Sequence, residues 1–149
     1  MMIDVLIQRY ERDLAKLRTE IEQYSNEGDL WKTSGEITNS AGNLALHLTG
    51  NLKHFFGAVL GNSGYVRDRD LEFSDSGVSK ERLLTEVAAA AADVRKALEN
   101  LTEDDLAKDY PLDVFGYRMT TEFFIVHLTT HFNYHLGQIN YHRRLLSGN

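Results

Sequence analysis

The sequence predicts an all-α fold, a four-helix bundle with long crossover connections. Four stretches carry apolar residues at steps of three and four, and small polar residues stand ahead of several of them as helix caps. Two polar, turn-rich connections of about 17 residues separate the later helices, longer than an up-down-up-down bundle needs.

The first helix rests on Ile3, Ile7, Tyr10, Leu14, Leu17, Ile21 and Tyr24, a narrow seam that ends at Ser25–Gly28. The only tryptophan, Trp31, follows among turn-forming neighbours, and its size makes it a plug for the end of the core. The second helix is predicted from about Ser40 to Leu60, with Leu44, Leu48, Leu52, Phe55 and Val59 inward and His47 and His54 on the flank. Gly42, Gly50 and Gly57 each cost that helix up to about 1 kcal/mol relative to alanine, which suggests close helix approach.

Residues Gly61 to Gly77 read as a loop, and the Arg67-Asp-Arg-Asp run within it as a solvated or self-paired surface segment. Ser79 caps a third helix along Leu84, Val87, Ala91, Val94, Leu98 and Leu101. Thr102-Glu-Asp-Asp can cap a short turn. The stretch from Ala107 to Arg118 holds the only proline, Pro111, and fits either a brief extended pair through Tyr110, Leu112, Val114 and Tyr117 or a covering loop. The last helix runs from Thr120 to Leu146, about 40 Å, with Phe124, Leu128, His131, His135, Ile139 and Leu146 inward and Arg143-Arg144 offsetting the dipole at its end. Gly137 within it suggests tight packing.

The 149 residues, 42% hydrophobic, suffice for one domain, 1–149, without internal repeats. Twenty-two acidic against 16 basic residues give a net charge of −6, and no basic stripe interleaves with aromatics, which argues against nucleic acid as the main partner. The absence of cysteine excludes disulfides, thiolate metal sites and a cysteine nucleophile. No apolar run approaches the roughly 18 residues of a membrane span and no signal peptide is visible, so the expectation is a soluble, cytoplasmic protein with no membrane contact.

Four of the six histidines fall in the last helix, and His127, His131 and His135 stand four residues apart on one drifting face. They cannot all bind one ion, because i and i+8 lie about 12 Å apart along the axis while metal–nitrogen bonds are about 2 Å. With the second and last helices antiparallel and level, His47 falls opposite residue 134 or so. That gives a triad of His47, His131 and His135 on facing helices; a competing set pairs His127 with His131 and His54. Three imidazoles suit a divalent ion, zinc or nickel foremost, with iron or manganese as further candidates. HExxH is absent, so no glutamate base is built into the histidine pair. Asn51, Asn133 and Gln138 stand near enough to orient an imidazole or a bound water.

The run His131-Phe-Asn-Tyr-His135-Leu-Gly-Gln138 resembles the H-x-x-x-H-x-G-Q segment of the DinB-like (DinB/YfiT-like) superfamily. Asn43-Leu-Ala-Leu-His47-Leu-Thr-Gly-Asn51 resembles the N-x-x-x-H-L-x-G-N segment of a domain-of-unknown-function branch of it, as does Arg67-Asp-Arg-Asp-Leu-Glu-Phe73. The resemblance implies a four-helix bundle with a three-histidine divalent-metal site, here His47, His131 and His135. It also implies a homodimer and transfer or isomerisation chemistry that uses a low-molecular-weight thiol with a small-molecule substrate. The commoner family pattern has a histidine before the ligand and an arginine after it, where this chain has Tyr134 and Leu136; His127 and His142 match no ligand position. The functional expectation is therefore a metal-dependent transferase, or a related hydrolase or isomerase. The alternatives are a metal-binding stress-response or structural module without turnover, and a bundle without metal. Phe56 is expected to be exposed and to pack against a second copy.

Overall fold

Three of the four long helices begin where the sequence offers a side-chain oxygen to the free amides of the first turn. The structure, a computed structural model, describes residues 1–148. Helix α1 spans Met2–Glu22 and is followed by a 3-10 turn at Glu27–Trp31. Helix α2, Ala41–Leu52, starts on Ser40, whose hydroxyl accepts from the Asn43 amide, and widens into a π-helical stretch at Lys53–Leu60. Asp68 caps α3, Arg69–Ser74, Ser79 caps α4, Lys80–Asn100, and Thr102 closes a reciprocal capping box with Asp105 on α5, Glu103–Leu106. Thr120 caps α6, Thr121–Leu146. There is no strand among the described residues, only isolated bridges at Ser34–Ile37 and Asp109–Thr120. No described helix is long and apolar enough to cross a membrane.

Hydrogen bonds fix the helix directions. The Tyr10 hydroxyl donates to the Ile125 carbonyl and the Tyr24 hydroxyl lies 3.5 Å from the Ile139 carbonyl, the same 115-residue offset twice, so α1 and α6 run parallel. Lys53 meets Glu86 and Gly57 meets Asp93, so α2 and α4 also run parallel. Glu11 pairs with Arg95 while the Tyr24 carbonyl accepts from Lys80, which makes α1 and α4 antiparallel. Around the bundle the contacts run α1, α4, α2, α6 and back to α1. Parallel neighbours cannot be joined by a tight turn, so the connection from α2 to α4 has to cross the length of the bundle.

The core is one cluster from all four long helices, with Leu17, Leu48, Leu98 and Ile139 fully enclosed. Its stripes differ in part from the periodicity. On α4 Leu83, Ala90 and Ala97 are buried while Leu84 and Ala91 are half-buried. On α6 Phe132 and Leu136 face the core, and His131 and His135 sit at its edge. Phe56 is wholly enclosed, edge-on to Tyr10 at 5.0 Å, so it cannot present a face to another copy. The 107–118 segment is a covering loop pinned by the Tyr110 amide on the Met119 carbonyl. His142 is a structural clasp: its Nε2 donates to the Lys32 carbonyl (2.8 Å) and its Nδ1 accepts from Tyr24 (2.7 Å). Burial pushes the Tyr24 hydroxyl well above its usual range, so it stays a donor.

The glycines of α2 make room for side chains rather than for helix backbones. A Cβ on Gly42 would lie 2.7 Å from the indole ring of Trp31, which plugs the bundle end and donates to the Val78 carbonyl at 3.2 Å. Gly57 makes the same room for Asp93, and Gly137, expected to be tightly packed, is exposed with nothing near it. Gly42→Ala should therefore lower stability by about 1–3 kcal/mol despite its better helix propensity, because a rigid ring cannot yield. Chemical denaturation checks this, and adding Trp31→Leu should recover part of the loss, since the two sites share one contact.

Candidate metal centre

The antiparallel pairing of α2 and α6 brings His47 to the level of His131 and His135. The Nε2 atoms of His47 and His131 lie 3.0 Å apart, and one nitrogen from each of the three rings falls within 4.8 Å of the others. No other group of three such side chains converges among the described residues. Tetrahedral sites with bonds of about 2.0–2.1 Å hold their ligand atoms about 3.3 Å apart, inside this range.

The outward nitrogens of two rings are already committed. His47 Nδ1 donates to Glu72 Oε1 at 3.0 Å, and His135 Nδ1 donates to Gln138 Oε1 at 2.7 Å. Each bond fixes the tautomer and turns an Nε2 lone pair inward, the usual outer-shell arrangement of a metal-bound histidine. His131 has no such partner, and its Nδ1 is buried without a hydrogen bond. Burial, and then the neighbouring His135 and His47, push its pKa down to about 4, so near neutral pH it is uncharged. His135 is lowered as well, by burial first, against the opposing bond to Gln138. Neutral imidazole is the ligand form. Two facing Nε2 atoms at 3.0 Å, with a third close by, fit a shared cation, and the donor set passes that test.

Glu72 is the residue the sequence reading missed. It comes from α3, inside the segment expected to be a solvated loop, yet it is only 6% exposed. Burial alone would raise its pKa, but the bonds from His47 and Arg67 and the charge of Arg67 outweigh that and hold it below its usual value. Arg67 grips it in a fork, Nε on Oε2 at 2.8 Å and Nη2 on Oε1 at 2.9 Å. The Asn43 amide anchors α3 by donating to the carbonyls of Glu72 and Asp75. Gly50 leaves the space, since a Cβ there would meet Glu72 Oε2 at 2.1 Å. No local periodicity marks a six-residue helix; the motif around Arg67–Phe73 was the only sign of it.

The other candidates lie apart from the cluster. His127 packs edge-on against Phe115 at 4.8 Å, and His54 against Phe55 at 4.8 Å. Asn133 turns away to α1, donating to Asp13 Oδ2 at 2.7 Å. Asn51 is buried and lines a cavity of about 200 Å³ beside His47 and His131.

Residues 2–149 match the family described as "Protein of unknown function (DUF1572)". The chain belongs to this family. Its fold is DinB-like: the crystal structure of a DinB-like protein from Bacillus cereus, 16% identical, superposes with a TM-score of 0.75 over 97% of this chain and 95% of that one. A conserved protein from Enterococcus faecalis, 15% identical, gives 0.68 over 96% and 95%. No curated protein matches. This DUF1572 chain thus shares its architecture with the DinB-like bundles, and its three-histidine cluster can hold a metal ion.

Because Glu72 orients His47 and Gly50 makes its room, Glu72→Ala and Gly50→Ala should each weaken divalent-metal affinity by about 10–100-fold. Chelator competition on the folded variants measures this. Wild-type affinity in both would show that the carboxylate does not orient the ring.

Proposed function

We propose that this DUF1572 protein is a divalent-metal-dependent enzyme that activates a low-molecular-weight thiol, with His47, His131 and His135 as ligands. The observation that supports the reading is the convergence of three imidazoles, two of them already held by Glu72 and Gln138, beside an open cavity. Bound there, a zinc or nickel ion lowers the pKa of a coordinated water or thiol and makes a nucleophile near neutral pH. The chain's own part is to aim three ring nitrogens at one point, to keep Glu72 ionised behind His47, and to admit substrate from the cavity side. The reaction class is S-transfer: the thiol gives its proton to water, its sulfur bonds to an electrophilic carbon, and the carbon–heteroatom bond that breaks leaves its electron pair on the displaced group, which departs as an anion or takes up a proton from water. We place it in the cytoplasm, where small thiols stay reduced.

Replacing His47, His131 or His135 with alanine should abolish tight metal binding, while His127→Ala should retain it, since His127 is held among aromatic rings away from the cluster. Metal titration of the variants decides. Full binding by His135→Ala together with loss in His127→Ala would overturn the assignment. Metal analysis of protein made without a histidine tag should find close to one ion per chain. Turnover of an electrophile with a panel of small thiols, lost on chelation, is the expected activity; stoichiometric metal without turnover would identify a metal-binding module instead.

We also propose a homodimer through the outer face of α6. From Phe123 to His142 the chain carries no aspartate, glutamate, lysine or arginine, in a protein that is 26% charged. Phe123, Val126, Tyr134, Tyr141 and Leu145 are all exposed, and their spacing places them on one face. A self-complementary, uncharged helix face suits a twofold contact. Sedimentation as a monomer at micromolar concentration would refute this.

A further inference from the structure

The cavity beside the histidine cluster has a charge character at odds with the molecule around it. The protein carries a net charge of −6, yet the cavity is lined by two arginines and by no aspartate or glutamate. Arg69 makes no ion pair among the described residues; its guanidinium lies over the ring of Phe73 at 5.3 Å. Arg67 spends Nε and Nη2 on Glu72, leaving Nη1 without a hydrogen bond. The side chain of Asn51, a residue only 6% exposed, makes no hydrogen bond among the protein's described residues and opens onto the cavity. Phe115 and Phe124 supply flat walls, with His127 between them: edge-on to Phe115 at 4.8 Å and nearly parallel to Phe124 at 6.1 Å. At about 200 Å³ the space is smaller than the roughly 300 Å³ at which pockets for drug-sized ligands begin.

We propose that this cavity is the carboxylate pocket of the enzyme and takes a small organic acid with a flat apolar body. Arg69 and the free edge of Arg67 meet the carboxylate, since guanidinium edges match two carboxylate oxygens. Asn51 donates to one of those oxygens, and the aromatic walls take the body of the molecule. The carboxylate then anchors the substrate beside His47 and His131. The proposal rests on the metal-dependent reading for the chemistry that follows binding, but not for binding itself.

The test uses chelator-treated, full-length protein and two flat probes of nearly equal shape, benzoate and its uncharged analogue benzamide, titrated by calorimetry. Nuclear magnetic resonance on the same samples locates the bound probe. Benzoate should bind saturably and shift the resonances of Phe115, Asn51 and His127, and benzamide should bind at least about tenfold more weakly, the worth of hydrogen bonds to a charged group. Arg69→Gln, a change at an exposed position, should cost benzoate about tenfold and leave benzamide unchanged. Asn51→Ala should weaken benzoate by a smaller factor. Arg12→Gln, on the exposed side of α1, controls for net charge and should change nothing. No saturable binding, equal affinity for the two probes, or undiminished benzoate binding by Arg69→Gln would each overturn the proposal. Because the protein is metal-free, the result is independent of metal loading: a cluster that failed to take zinc would sink the metal reading and leave the pocket standing, and the reverse holds equally.

Discussion

A buried carboxylate is tolerated only when charge and hydrogen bonds compensate its loss of water, and the arrangement around Glu72 follows from that constraint. Arg67 supplies the opposite charge through two parallel bonds, and His47 supplies a third donor. Each of these needs something else in turn. Arg67 must lie five residues before Glu72 in the chain, so α3 has to be short and turned back on α2; Asn43 holds it there through two backbone carbonyls. Gly50 must lack a side chain, because its Cβ would occupy the carboxylate's position. The helix-weakening glycine, the charged run and the polar helix start are thus parts of one solution for placing an anion behind an imidazole.

Topology explains why that solution sits in a connection. With α2 and α4 parallel, the chain must climb the length of the bundle between them, and a climbing segment can be laid against any helix it passes. Here it passes α2 at the level of His47 and delivers Arg67, Arg69, Glu72 and Phe73; the ring of Phe73 packs against His47 at 4.7 Å, tilted by 40°. The connection from α4 to α6 joins two antiparallel helices at one end of the bundle and walls the other side, where the 107–118 segment brings Phe115 over His127 and Phe124. Four long helices provide the rigid frame, and the two connections wall the site. The π-helical stretch of α2 belongs to this design as well: Phe55 and Phe56 are both buried although adjacent, one walling the cavity and the other closing the core.

What the sequence made legible follows the same division. The helices were readable because an apolar stripe and a cap are local, repeating signals, and the histidine triad was readable because i, i+4 spacing and a level antiparallel neighbour leave few meeting points. Following the histidines, however, misassigned the inward face of α6: Phe132 and Leu136 fill the core, and the imidazoles stand at its edge. Edge placement suits them, since a ligand must be dry enough to stay neutral and open enough to meet a substrate. Phe56 was misread for a related reason. The end of α2 is covered on more than one face, so Phe55 and its neighbour Phe56 are both enclosed, as Phe124 and Ile125 are on α6. Glu72 and Arg67 had no period to betray them, and charge alone reads as surface until the partner is known.

The site's polarity is one-sided, and that sets where chemistry can occur. Behind His47 and His135 stand hydrogen-bond acceptors, a carboxylate and an amide oxygen, which pull the outward N–H bonds and sharpen the inward lone pairs. Behind His131 stands nothing, its Nδ1 being buried and unsatisfied, so this ring gains most from any cation the cluster holds. On the remaining side the cavity presents Arg69 and the Nη1 edge of Arg67, which have no carboxylate partner there, and the side-chain amide of Asn51. Electron-rich nitrogens on one side and unfilled donors on the other leave a gap that suits a cation next to an anion. A ligand pairing a metal-seeking atom with a carboxylate would satisfy both sides at once, which neither a bare ion nor a neutral molecule would do.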